Sequence, residues 1–127
     1  MKRVVQLTMI TLSLLAFSLN QSIAQSSVQN QTSCDFTVHV NMGTANCLGV
    51  LANTVTYNVP ANSSFFIPGP LVIAKASGSP NPSPIGCDFS ISKTCTGPVG
   101  AVVVNCSTPC GNRYIVTLQN NNLIIRP

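Results

Sequence analysis

Few side chains in this sequence could carry catalytic chemistry: one histidine, His39, and two aspartates, Asp35 and Asp88, in a chain without glutamate. Asp35 and His39 fall on one face of a predicted strand, where four residues separate their backbones by roughly 13 Å. That separation is too long for the hydrogen bond that a catalytic dyad requires. No serine stands in a nucleophile-elbow motif such as GxSxG. The sequence therefore predicts no catalytic residue, and we expect a protein that is not an enzyme.

Six cysteines are the second group of reactive side chains, and their even number predicts disulfides. They are Cys34, Cys47, Cys87, Cys95, Cys106 and Cys110. No pair has the CxxC spacing typical of zinc sites, and no DxDxD-like loop could gather ligands for calcium. We therefore expect all six cysteines to be oxidised, and we predict neither a metal nor another cofactor.

The sequence alone does not choose among the 15 pairings that six cysteines allow. Short spacing favours two hairpin staples, Cys34 with Cys47 and Cys95 with Cys106, because each pair flanks a turn-rich segment. That choice would leave Cys87 for Cys110. Each bridge contributes roughly 2–4 kcal/mol to the stability of a small domain.

The first residues have the pattern of an export signal. Lys2 and Arg3 precede a mostly apolar stretch, residues 4–19, and small residues at positions 22 and 24 predict cleavage after Ala24. The apolar stretch is shorter than the roughly 20 residues that a membrane-spanning helix needs. We predict a signal peptide at 1–24 and a secreted, extracellular or cell-surface protein, with the periplasm as an alternative location, and no membrane anchor after cleavage.

The remainder divides into a polar lead-in and a β-rich domain. Residues 25–33 contain a single apolar residue, Val28, and are predicted to be flexible. From residue 34 onward, apolar and polar residues alternate in several short segments that Gly, Pro and Asn turns separate, which is typical of half-buried strands. The run at 100–106 (GAVVVNC) is continuously apolar and predicts a strand covered on both faces. We predict that 34–127 is a single all-β domain, a small antiparallel β-sandwich or barrel-like fold of about eight short strands stapled by disulfides.

Two local features allow more than one interpretation. The tripeptide CDF occurs at 34–36 and again at 87–89, and indicates either an internal duplication or a chance similarity between two strands. The segment 77–84 (SGSPNPSP) predicts a surface loop stiffened by Pro80, Pro82 and Pro84. Such a loop either connects strands or offers a pre-ordered contact surface.

The charge pattern narrows the classes of partner. After signal cleavage four scattered basic residues and two aspartates remain, a net charge of +2. Nucleic-acid binding requires clustered basic residues, so no nucleic-acid partner is predicted. The surface must instead be rich in Asn, Ser, Thr and Gln.

We predict a secreted, non-catalytic structural or adhesive protein that acts by surface contact, such as a matrix, cell-surface or filament subunit. Its partners would be other protein chains, copies of itself or a cell surface, or glycans. The alternative is a carbohydrate-binding module of the β-sandwich type, although the chain has no tryptophan and both tyrosines fall on predicted core faces. The last strand, 123–126, could be an exposed edge that pairs with another chain, or Arg126 and Pro127 could block such pairing. Asn30, Asn62 and Asn105 stand in sequons that would accept glycans in a eukaryotic secretory pathway.

Overall fold

The computed structural model describes residues 25–44, 50–93 and 100–127. Within these ranges the chain forms nine strands and no helix. The strands are β1 (Ser26–Asn30), β2 (Asp35–Gly43), β3 (Val50–Val59), β4 (Ser63–Ile67), β5 (Val72–Asn81), β6 (Phe89–Ser92), β7 (Gly100–Thr108), β8 (Gly111–Gln119) and β9 (Asn122–Arg126). The predicted fold class is confirmed: the protein is a small disulfide-stapled β-sandwich.

The strands form a five-stranded sheet in the order β4-β1-β9-β8-β7 and a four-stranded sheet in the order β3-β2-β5-β6. All neighbouring strands are antiparallel except β1 and β9, which run parallel. The alternation predicted from the sequence buries one face of each sheet against the other, as in β2, where Phe36, Val38 and Val40 are buried. Burial of each such side chain contributes roughly 1.5–3 kcal/mol.

Three aromatic rings pack against one another at one end of this core. The Phe36 and Tyr114 ring centroids lie 5.1 Å apart, those of Phe89 and Tyr114 lie 6.4 Å apart, and those of Phe36 and Phe89 lie 6.5 Å apart. The two phenylalanines come from the four-stranded sheet and the tyrosine from the five-stranded sheet. The near-perpendicular rings of Tyr114 against both phenylalanines suit the charge distribution of aromatic faces and edges.

The prediction that 25–33 is a flexible lead-in is wrong. Ser26–Asn30 forms β1, which lies between β4 and β9 and has four of its five residues buried. The segment lacks the apolar alternation that marks a strand in sequence. It is a strand because backbone pairing on both sides holds it in place. The Ser27 hydroxyl also donates a hydrogen bond to Asn122 Oδ1 at 2.7 Å. The β domain therefore begins before residue 34.

Two predicted strand environments are also corrected. The last strand, β9, is not an exposed edge, since it pairs with β8 on one side and with β1 on the other. Conversely β7, predicted to be covered on both faces, is an edge strand whose Ala101 and Val103 are exposed. A strand's position in its sheet depends on pairing with residues distant in sequence, which local apolar content does not report.

The predicted proline loop is in part a strand. Residues 77–81 belong to β5, and Pro80 is buried opposite Phe36 of β2. Because β6 pairs with β5 only between Lys75 and Gly78, Pro80 has a strand neighbour on one side only, where its missing N–H is tolerated. Pro82 is exposed and Pro84 is half-buried, and both lie outside the strand. The proposed contact role of this segment stays a prediction.

The disulfides join the two sheets. Cys34 pairs with Cys110 and Cys87 with Cys106, with Cα–Cα distances of 5.5 Å and 5.4 Å that suit a disulfide. All three pairs favoured by short spacing, Cys34 with Cys47, Cys95 with Cys106 and Cys87 with Cys110, are therefore wrong. Cysteines in opposite sheets come together only once the sandwich closes. The bridges indicate an oxidising environment of the extracellular type.

Part of the sequence-based prediction falls outside the described residues. Cys47, Cys95 and the predicted signal peptide at 1–24 belong to this part of the chain. Among the described residues, no helix has the length and apolar character required to cross a membrane.

Candidate binding face

The outer face of the four-stranded sheet is covered by polar side chains, and we call it the polar face. It arises because alternate residues of each strand point away from the core. Its side chains are hydroxyls and amides with one histidine and one lysine: Thr54, Thr56 and Asn58 from β3, Thr37, His39 and Asn41 from β2, Lys75, Ser77 and Ser79 from β5, and Ser90 and Ser92 from β6. Each of them is at least partly exposed.

Hydrogen bonds between side chains of β2 and β3 order one half of the polar face. They join Thr37 Oγ1 to Asn58 Oδ1 at 3.4 Å, His39 Nδ1 to Thr56 Oγ1 at 2.8 Å, and Asn41 Nδ2 to Thr54 Oγ1 at 2.9 Å. The three pairs lie on successive outward positions of the two strands. This half of the face is therefore arranged before any ligand arrives, which lowers the entropy cost of binding.

The first of two grooves on this face lies where β6 separates from β5. Its volume is about 320 Å³, and its lining residues are His39, Ser77, Gly78, Ser79, Asp88 and Phe89. Gly78 lies beside the buried Phe89 ring at the floor of this groove, and a Cβ there would overlap Thr37 O and lie 3.0 Å from that ring, so glycine permits the close approach of Phe89 to β5. Asp88 precedes β6 and its Oδ1 accepts a hydrogen bond from Ser83 Oγ at 3.5 Å.

The second groove lies nearer the β3 edge of the same face. Its volume is about 220 Å³, and Asp35, Thr37, Asn58 and Asn81 contribute its polar side chains. Asp35 Oδ1 accepts a hydrogen bond from the Ala61 N–H at 2.9 Å, which leaves its second oxygen for other partners. Each of the two aspartates of the sequence thus lines its own groove on one face.

The first groove brings together a serine, a histidine and an aspartate, but not in the order of a proton relay. His39 on β2 and Asp88 beside β6 are separated by β5, a distance on the order of 10 Å across two strand spacings. Ser77 lies directly opposite His39, between the two. In a relay the histidine stands between serine and carboxylate, whereas His39 Nδ1 bonds Thr56 on the far side. The arrangement can donate and accept hydrogen bonds with a ligand.

The two aspartates do not converge on a metal position, since they line separate grooves. In the described part of the chain, no group of three or more His, Cys, Asp or Glu side chains could hold a metal ion.

The serines of the first groove were not predicted from the sequence as site residues, because 77–84 read as a proline-rich loop. Ser77 and Ser79 instead lie on β5, where their register places them opposite His39 and Thr37. The signal that could have found them is the alternation of Ala76, Gly78 and Pro80 with these serines.

The three sequons differ in the exposure of their asparagines. Asn62 and Asn105 are exposed, whereas Asn30 is 1% exposed and its amide is fully hydrogen-bonded. A glycan at Asn30 is therefore incompatible with the folded protein, whatever the host.

Tyr114 supports the start of β6 from below the first groove. It is 4% exposed and its hydroxyl donates a hydrogen bond to the Cys87 carbonyl oxygen. Burial, with a smaller contribution from the charge of Asp88, raises the pKa of Tyr114 to about 12. The neutral phenol is thus favoured in the folded protein.

We expect the free energy of unfolding to fall by about 2–3 kcal/mol between pH 10 and 12 because of the ionisation of Tyr114. Because its pKa is higher in the folded than in the unfolded chain, the stabilisation is complete below pH 10 and is lost as the pH passes the folded value of about 12. Urea unfolding of the wild type and of Tyr114→Phe across this range measures it. The variant should lose roughly 1–2 kcal/mol at neutral pH, since Cys87 O lacks its donor, and show a flatter alkaline limb. Parallel pH profiles would contradict the assignment.

Comparison of the chain with protein-family models, with curated proteins and with solved structures finds no match.

Proposed function

We propose that this protein is a secreted, non-catalytic structural or adhesive protein that acts by surface contact. The observation that carries the proposal is the composition of its edge strands. The four edge strands of the two sheets, β3, β4, β6 and β7, contain no charged residue and no proline.

The charged residues that do occur in strands are all in internal ones. They are Asp35 in β2, Lys75 in β5, Arg113 in β8 and Arg126 in β9. Proteins that stay monomeric usually place charges or prolines on edge strands, because an unpaired edge is a template for pairing with another chain. In this protein the charged residues of the strands lie in internal strands and the edge strands have none. This distribution supports contact with other chains through the edge strands.

Low net charge supports the same function. With a net charge of +2 after signal cleavage, copies of the protein repel one another weakly. The export signal predicted from the sequence and the disulfides both fit an extracellular site of action.

A carbohydrate-binding module is the second candidate, and the specific observation in its favour is the polar face with its two grooves. The two functions are compatible, since an adhesive protein requires a surface to bind.

Light scattering coupled to size-exclusion chromatography of the mature protein tests the first candidate. We expect concentration-dependent oligomers that Val55→Lys on β3 or Val103→Lys on β7 reduces, because each places a charge on an edge strand. These valines are 44% and 49% exposed, so the substitutions spare the core. Val55→Thr and Val103→Thr are matched neutral controls and should assemble like the wild type. A wild type that is strictly monomeric, and that adheres to no surface, would overturn the proposal.

A further inference from the structure

We infer that the polar face is a binding site for an uncharged polysaccharide, with Asp88 and Asp35 each accepting hydrogen bonds from the hydroxyls of one sugar unit. This inference rests on the proposed adhesive function and assigns that function a partner. It begins from the distribution of ionisable groups. The described residues contain one histidine and two carboxylate side chains, and all three side chains line the grooves of this one face.

The chemistry of the grooves matches sugar hydroxyls. A carboxylate offers two acceptor oxygens, and hydroxyl or amide groups that both donate and accept line the same groove. In the first groove these are Ser77 and Ser79, and in the second they are Thr37, Asn58 and Asn81. His39 lines the first groove on the far side of β5 from Asp88. Sugar hydroxyls also donate and accept hydrogen bonds, so each hydroxyl can pair with both a donor and an acceptor in the groove.

The charge of the grooves selects an uncharged chain. Each groove contains a carboxylate, and neither has a lysine or an arginine among its described lining residues. The carboxylates in both grooves would repel an anionic polysaccharide, and this repulsion would make binding specific for uncharged chains. A single small cation is not favoured either, since the two carboxylates belong to separate grooves.

The geometry suits a chain rather than a single sugar. The volume of the first groove, about 320 Å³, is at the lower end for small-ligand sites, and the second is about 220 Å³. Ser79 lines the first groove and lies directly opposite Thr37, which lines the second. The two grooves are therefore neighbours on one face, and a chain lying across β2 and β5 reaches both.

The repeated CDF tripeptide explains why there are two similar grooves. Cys34 and Cys87 anchor each tripeptide to the opposite sheet, and Phe36 and Phe89 bury their rings in the core. The aspartate between each pair must then lie on the outer side, where it is exposed. The two tripeptides lie on opposite sides of β5, since β2 and β6 both pair with it.

Binding of the mature protein to cellulose, β-1,3-glucan, mannan and galactan tests the inference, with polygalacturonate as the anionic comparison. We expect a neutral polysaccharide to bind and polygalacturonate not to bind. Asp88→Asn and Asp35→Asn should each weaken binding by roughly 10–100-fold, because each removes the charged acceptor of sugar hydroxyls. Both side chains are exposed, so the thermal unfolding midpoint should stay close to that of the wild type. Asn105→Ala, on the exposed surface of β7, is the control and should bind like the wild type.

Three results would overturn the inference: no binding to any neutral polysaccharide, stronger binding to polygalacturonate, or unchanged binding by both aspartate variants. The experimental outcomes distinguish failure of this inference from failure of the proposed function. A protein that assembles through its edge strands but binds no polysaccharide refutes the inference alone. A protein that neither assembles nor adheres refutes both.

Discussion

The Cys34→Ala/Cys110→Ala variant is expected to lose roughly 4–5 kcal/mol of unfolding free energy. The bridge closes a loop with a sequence separation of 76 residues. Its removal returns the entropy of that loop to the unfolded chain, and the entropy grows with the logarithm of loop length. Alanine is used because Cys34 is buried, and a serine there would add a hydroxyl in need of a partner.

The second bridge is the matched comparison. Cys87 and Cys106 are separated by only 19 residues, so Cys87→Ala/Cys106→Ala should lose about 3 kcal/mol. Both bridges join the same two sheets, and they differ most in the length of the loop that each closes. Urea unfolding of the wild type and the two variants under non-reducing conditions measures the order of their free energies of unfolding. Equal losses, or a larger loss for the shorter loop, would contradict the pairing or the entropic explanation.

The two CDF tripeptides illustrate what could be predicted from this sequence. Alternation around Phe36 and Phe89 predicted which side chains enter the core and which face solvent, and the structure agrees. The partners of Cys34 and Cys87 could not be predicted, because they lie in the opposite sheet. The two tripeptides occupy similar places in the fold, since each begins a strand beside β5 and is tied to the other sheet.

The errors share one physical cause. The strand β1 was missed because pairing with β4 and β9 holds a segment whose own residues are polar. The interpretation of β9 as an edge and of β7 as a covered strand failed because the order of strands in a sheet is a long-range property. The polar face was missed for the same reason: its grooves form between strands whose pairing the local pattern does not specify.

A large loss of stability is also expected on substitution of the buried Asn30. It is 1% exposed and lies at the end of β1, where the chain turns toward β2. Its Nδ2 donates to three carbonyl oxygens, those of Cys34 at 2.7 Å, Pro60 at 3.0 Å and Val59 at 3.2 Å. Its Oδ1 accepts from the Thr32 N–H at 3.0 Å and from the Thr32 hydroxyl at 2.8 Å. One amide thus connects β1, the β1–β2 turn and the end of β3.

We expect Asn30→Ala to lower the free energy of unfolding by roughly 2–4 kcal/mol, because it removes the hydrogen-bond partner of the buried Cys34 and Val59 carbonyls and of the Thr32 N–H. Asn30→Asp should lose more at neutral pH, since it directs a charge at the same carbonyl oxygens. Part of that loss should be recovered at acid pH, where the carboxyl is protonated. Asn105→Ala removes an exposed amide and should change stability by no more than about 0.5 kcal/mol. Urea unfolding at neutral and acid pH measures all three, and an Asn30→Ala variant as stable as the Asn105→Ala control would show that the buried network does not stabilise the fold.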